Sequence, residues 1–394
     1  MSNKDKKVIF VNATLLNNVH EIIDSSLIIE LSSIFPNVAV YLTHNRCEII
    51  KKNITPYLKI DNVTFYKLKI GEKRSGINDL IAAIKEGFLL LKSRHNSIFV
   101  FSYINMFSCH ILNLIAKLTN KTILICCHSE LETIQIPNVS IKQIWYYLMQ
   151  RFFKTTRWGK YVYLMVLGDN IHENLKSYIG IEKYQKIYAI DHPYFMPIQL
   201  RQNMKIPDLN KINIGIIGSV NKSYVRGFKN IIQFAEKIRV DSSVTLNIIS
   251  KIDMDLIAQL PSNVIVHNTS GEFLPKSEYD KLIQQMDYIY LPYPQDCFKF
   301  TASGAVLEAI FQQKVLLMHS NDYCTYLTKK YGRFGLFIEE YDNINELAND
   351  LHNKLLYNDL LRKQQFLAEN ITPQKLTWQL QNIINDISKK SLKK

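Results

Sequence analysis

Short apolar runs rich in β-branched residues recur along the whole chain, and the stretches between them repeat their apolar residues at helical spacing. VIFVNAT (8–14) leads into a segment in which Ile22, Ile23, Leu27, Leu31 and Ile34 fall every third or fourth residue or beside one another. NVAVYLT (37–43), NVTFYKL (62–68), SIFVFSY (97–103), KTILICC (121–127) and YVYLMVL (161–167) continue the strand series, with helical stretches such as 78–93 and 105–118 between them. Parallel neighbours need crossover helices, so this alternation predicts an α/β fold with a parallel sheet covered on both faces. Such sheets bind their ligands beyond the carboxyl ends of the strands.

At 394 residues the chain exceeds one core and suits two, each of roughly 180 residues. A second strand-helix series begins at KINIGIIGSV (211–220) and runs through IIQFAEKI (231–238), SVTLNIIS (243–250), NVIVHN (263–268), DYIYLPY (287–293), KVLLM (314–318) and RFGLFIEE (333–340), with helices near 322–330 and 343–356. Pro193, Pro197 and Pro207 discourage regular helix between the two series, which puts a linker at 193–207. The expected domains are 1–192 and 208–372. Residues 373–394 add a helix with Leu376, Leu380, Ile383, Ile384 and Ile387 on one face, then a basic tail.

Composition removes several function classes. The chain is 47% hydrophobic and 21% charged, a folded globular balance. No apolar run reaches the ~18–20 residues that span a bilayer, and MSNKDKK leads straight into a strand, so neither secretion nor membrane spanning is expected. The cysteines at 47, 109, 126, 127, 297 and 324 lack metal-finger spacing, which argues against zinc and against a disulfide framework and for buried thiols. No GxGxxG follows a strand, which disfavours a dinucleotide oxidoreductase. The net charge of +13 is spread over scattered lysines. It suits an anionic ligand or lipid as well as nucleic acid, and a basic nucleic-acid-binding or scaffold protein has only that charge behind it.

Three stretches carry chemistry. In FTASGAVLEAI (300–310), Thr301, Ser303 and Gly304 open a helix after the run DYIYLPY. Free N–H groups and a positive dipole end there suit an anion, and the Glu308 carboxylate one turn on suits a diol. In HSELE (128–132), His128, Glu130 and Glu132 follow the end of the strand TILICC, where a general base for an acceptor hydroxyl would be placed; the sequence does not choose among the three. In 141–163 no acidic residue occurs, while Lys142, Arg151, Lys154, Arg157 and Lys160 interleave with aromatic residues including Trp145 and Trp158. With Ile141, Ile144, Trp145, Leu148 and Phe152 on one face, the stretch reads either as a helix packed on the sheet or as an interfacial helix on anionic lipid.

The pattern PY, variable loop, SGAVLEAI, two polar residues, KVLLM closely resembles the nucleotide-sugar site of GT-B glycosyltransferases; the likeness is good over 206–372 and faint before 120. It implies two Rossmann-like domains with parallel sheets facing a central cleft. It further implies transfer of a sugar from a nucleoside diphosphate donor, UDP being the first expectation, to a glycan or lipid-linked acceptor. Ser303 and Gly304 would face phosphate and Glu308 the ribose. Phe300 stands where many retaining members have a donor-sugar glutamate. Gly218 ends the first strand of the donor domain, Ser219 replaces the familiar Arg after it, and Lys222 and Arg226 would neutralise the diphosphate without a metal or other cofactor. Similar H-x-E-x-E loops occur in some polysaccharide glycosyltransferases, and the chain would end in a helix returning to the first domain. The expectation is therefore a cytoplasmic enzyme of surface-polysaccharide type with no nucleic-acid partner, peripheral to an anionic membrane through Trp145, Arg151, Lys154 and Arg157. A nucleotide-sugar 2-epimerase of the same fold is the enzymatic alternative.

Overall fold

The computed structural model describes residues 7–15, 20–57, 62–71, 75–94, 97–196, 207, 209–218, 220 and 225–392, the side chains of Val225, Arg226 and Leu392 aside. The chain divides into two compact units, Met1–Phe195 with Lys299–Ala302 and Ile371–Lys394, and Met196–Phe298 with Ser303–Asn370. Residues 197–206 and 208 of the expected linker lie outside the described residues.

The first unit holds seven parallel strands: β1 (Val8–Asn12), β2 (Val38–Thr43), β3 (Val63–Leu68), β4 (Ile98–Phe101), β5 (Thr122–Cys126), β6 (Val162–Val166) and β7 (Ile187–Ala189), ordered β3-β2-β1-β4-β5-β6-β7. Alternate residues of the inner strands feed two cores. Ile9, Val11, Phe99, Phe101, Ile123 and Ile125 point to one side, and Val8, Phe10, Ile98, Val100 and Leu124 to the other. That two-sided burial is why these strands are apolar at nearly every position. Helices Gly76–Lys92, Ser108–Thr119 and Ile144–Lys154 cover the first core. Helix Glu21–Ile34 covers the second together with Pro373–Leu392, which contributes Leu380, Ile383, Ile384 and Ile387. The last helix is tied down by Gln379, which accepts from Asp191 N–H at 2.9 Å and donates to the Asp191 carboxylate at 3.0 Å.

The second unit holds six parallel strands: β8 (Ile212–Ile216), β9 (Val244–Ile248), β10 (Val264–Val266), β11 (Tyr288–Leu291), β12 (Val315–Met318) and β13 (Gly335–Phe337), ordered β10-β9-β8-β11-β12-β13. Each sheet reverses its strand order once, between β1 and β4 and between β8 and β11, and the carboxyl ends of those pairs are where an open sheet places a ligand. The helix expected near 343–356 is two helices, Ile344–Leu351 and Lys354–Asn370. Asn353 Oδ1 accepts from Leu355 N–H and Leu356 N–H, both at 3.1 Å, and so starts a new helix inside the expected one.

Candidate active site

In the second unit the later part of the stretch 300–310 forms the helix Gly304–Phe311, with Ser303 as its N-cap. The Ser303 hydroxyl is buried and accepts from Val306 N–H at 3.4 Å. The N–H groups of Gly304 and Ala305 precede it, and a Cβ at Gly304 would meet nothing within 4 Å, so the backbone at this helix start is open to a ligand. One turn on, Glu308 Oε2 accepts from the Tyr279 hydroxyl at 3.1 Å and Oε1 lies 3.4 Å from Lys276 Nζ. Both partners sit on helix Lys276–Gln285 and no spacing in the sequence announces them. Lys276 also pairs with Asp280 at 2.7 Å, so the Glu308 carboxylate is aimed by its neighbours while remaining 23% exposed. Thr301, expected to open the helix, lies before its cap and in the first unit, its hydroxyl 3.4 Å from the Ala302 carbonyl.

Gly218 follows β8 at φ 89°. A Cβ there would stand 2.7 Å from the Tyr293 hydroxyl oxygen, so both the left-handed backbone and the space require glycine. Tyr293 follows β11, and the pair therefore lies at the reversal of strand order. Ser219, Lys222 and the side chain of Arg226 lie outside the described residues.

In the first unit HSELE forms a 3-10 helix, Ser129–Gln135, directly after β5. Its three candidate groups have different surroundings. Glu132 Oε1 accepts from Phe300 N–H at 2.9 Å and Oε2 from the Gln135 amide at 2.5 Å, so both oxygens hold backbone and side chain in place. Glu130 is fully buried, its Oε1 accepting from His128 N–H at 3.0 Å, and burial pushes its carboxyl up to about 7. His128 is buried too, and burial holds its imidazole well below the ordinary histidine range. Its Nε2–H donates to the Ser102 carbonyl at 2.8 Å, which leaves Nδ1 as the lone-pair nitrogen of a neutral ring.

A chain of buried polar contacts holds that histidine. Asp24 Oδ2 takes Arg46 Nε at 2.7 Å and Asn12 Nδ2 at 2.9 Å, and the same Asn12 amide donates to Ser102 Oγ at 3.0 Å. Asn12 ends β1 and Ser102 follows β4, so the network spans the carboxyl ends at the reversal of strand order. His20 stacks edge-on against His128 with ring centroids 4.6 Å apart. Asn12, Asp24, Arg46 and His20 carry no motif that marks them in the sequence.

The basic-aromatic stretch departs from its expected face. The helix starts at Ile144, and the residues buried on the sheet are Met149, Phe152 and Phe153, with Trp145 and Leu148 half-buried against the core. Ile141 lies before the helix and is 69% exposed. Adjacent Phe152 and Phe153, joined by Met149, outweigh the Ile141–Ile144 line for the core. Arg151, Lys154 and Arg157 are exposed. No helix among the described residues is long and apolar enough to cross a membrane.

No protein-family model matches the chain, and no curated protein matches its sequence. Solved structures do resemble it. A glycosyltransferase from Rickettsia africae shares 14% identity over 98% of this chain and 99% of its own, with a TM-score of 0.58. Anabaena HepE in complex with UDP shares 10% over 97% and 100%, with a TM-score of 0.60. WaaG, a glycosyltransferase involved in lipopolysaccharide biosynthesis, shares 13% over 96% and 99%, with a TM-score of 0.56. At such identities the likeness concerns the fold, and the chain folds as a GT-B protein with two parallel α/β units.

Proposed function

We propose that the protein is a glycosyltransferase that moves a sugar from a nucleoside diphosphate donor, UDP first among the bases, to a hydroxyl of a glycan or lipid-linked acceptor in surface-polysaccharide synthesis. The observation that carries this reading is the open, Ser303-capped helix start with the Glu308 carboxylate one turn behind it, beyond the end of β11. An anion at the helix start and a ribose diol on Glu308 are one turn apart, as the two parts of a nucleotide require. The UDP complex of the similarly folded Anabaena HepE and the lipopolysaccharide role of WaaG support the choice of donor and of pathway class.

In this reading the unit with β8–β13 binds the donor. Gly218, Ser219, Lys222, Arg226, Ser303 and Gly304 surround the diphosphate and Glu308 holds the ribose. The acceptor oxygen bonds to the anomeric carbon as the bond from that carbon to phosphate oxygen breaks. The diphosphate leaves with the electron pair, and its charge is met by the helix dipole, Lys222 and Arg226. Among the HSELE groups, His128 is favoured to meet the acceptor hydroxyl, because Glu132 has both oxygens engaged and Glu130 secures the His128 backbone. The neutral Nδ1 accepts a hydroxyl proton or hydrogen bond. Trp145, Arg151, Lys154 and Arg157 place the first unit on the anionic cytoplasmic face of a membrane, near a lipid-linked acceptor.

A thermal-shift panel of UDP, GDP, CMP and TDP sugars tests the reading. A ligand at ~100 times its dissociation constant stabilises by ~2.7 kcal/mol, so one donor class is expected to raise the melting temperature. No shift with any nucleotide or nucleotide sugar overturns it.

A further inference from the structure

The layer of helices Gly76–Lys92, Ser108–Thr119 and Ile144–Lys154 turns much of its apolar surface outward. On the first helix Ile77, Leu80, Ile81, Ile84, Phe88 and Leu91 are 36–73% exposed. At helical spacing they fall in a stripe about 100° wide, opposite the buried Ala82, Ala83, Glu86 and Leu90. The helix is thus apolar on two sides, and the sheet covers one.

The stripe continues across its neighbours. A Cβ at Gly87 would stand 2.9 Å from Ile115 Cδ1 and 3.2 Å from Ile111 Cγ2, so the first two helices pack closely. His110 Nε2 lies 3.1 Å from the Leu148 carbonyl and joins the second helix to the third. On that second helix Leu114 and Leu118 are 57% and 75% exposed. Eleven of the twenty large hydrophobic side chains exposed among the described residues belong to this layer and to Ile141 just before it. Apolar exposure is therefore concentrated here, which marks an interaction surface.

Charge selects the partner. Lys92, Arg94, Lys117, Arg151 and Lys154 are exposed around the stripe. The carboxylates of the three helices are Asp79 and Glu86, the first half-buried and the second fully buried. A second copy of this chain docked on the same face would set cations against cations. A surface with anionic headgroups over acyl chains matches both features.

We infer that this layer is a membrane-insertion face: the Gly76–Lys92 stripe enters the headgroup-acyl boundary of an anionic bilayer while the flanking cations bind lipid phosphates. The inference rests on the membrane reading of residues 141–158 and adds the element that inserts. Insertion through apolar area persists when salt screens the charges.

Co-sedimentation of the protein with mixed phosphatidylcholine and phosphatidylglycerol vesicles tests it. Ile84→Gln/Phe88→Gln keeps the charge and uses a good helix former, so it reports apolar area alone. It is expected to lower vesicle partitioning at least about tenfold, with an unchanged melting temperature, and to abolish the bound fraction that wild type retains in high salt. If this variant sediments like wild type while Arg151→Gln/Lys154→Gln/Arg157→Gln is released, the inference falls and the basic-segment reading stands. If wild type ignores the vesicles, both fall. A wild-type dimer in light scattering that Ile84→Gln/Phe88→Gln converts to monomer makes the stripe a self-association surface and overturns insertion.

Discussion

Replacing Glu308 with alanine separates the stability of the donor unit from its grip on a nucleotide. Little stability is at stake. The Lys276–Glu308 pair spans 3.4 Å with side chains 46% and 23% exposed, and pairs this open contribute at most ~1 kcal/mol. Lys276 retains Asp280 at 2.7 Å, and alanine at a helical position returns a few tenths of a kcal/mol. Binding should change more. A carboxylate accepting from a ribose diol makes charge-assisted hydrogen bonds whose loss costs ~1.5–3 kcal/mol, roughly a 10- to 150-fold weaker dissociation constant. Calorimetric titration with UDP and with its 2′,3′-dideoxy analogue completes a cycle. Wild type should favour UDP over the analogue by about the factor that Glu308→Ala loses, and the variant should hardly distinguish them. A variant that binds UDP like wild type, or that still rejects the analogue, refutes the ribose assignment.

Asp24→Ala leaves the Arg46 guanidinium buried without its 2.6 Å partner and should cost ~3–5 kcal/mol in urea unfolding; a loss under ~1 kcal/mol would mean the network does not hold this sheet end. Burial pushes the Glu86 carboxyl from 4.5 up to about 8. The folded protein therefore keeps a proton that the unfolded chain has released, and stability falls as pH rises through that window. Glu86→Gln removes this penalty, so its gain over wild type should grow by on the order of 3–4 kcal/mol between about pH 5 and about pH 8; an equal gain at both pH values contradicts the assignment. His128→Ala should slow transfer ~100-fold or more while donor affinity persists, and near-wild-type turnover with an identified donor and acceptor removes His128 from the chemistry.

The parts of the molecule legible in sequence are those whose cause is local. Val8–Val11 and Ile123–Cys126 are apolar at consecutive positions because both faces of each strand meet a core, and a short run of this kind, rich in β-branched residues, suits an inner parallel strand. Ser303 and Glu308 were readable because a cap and the residue one turn beyond it share one helix. Their setting was not. Lys276 and Tyr279 reach Glu308 from 32 and 29 residues away, and the line from Arg46 through Asp24, Asn12 and Ser102 to His128 joins five separate segments. The helix Gly76–Lys92 shows the same limit from the other side. Apolar residues surround much of its axis, so periodicity alone does not say which half the protein covers. The close approach at Gly87 to Ile111 and Ile115 decides it, turning Ala82, Ala83 and Leu90 inward and leaving Ile84 and Phe88 outside. A sequence reading that follows charge finds the cations of 141–158 first. Packing shows that the larger apolar surface lies two helices earlier, which is why the vesicle experiment must vary apolar area and charge separately.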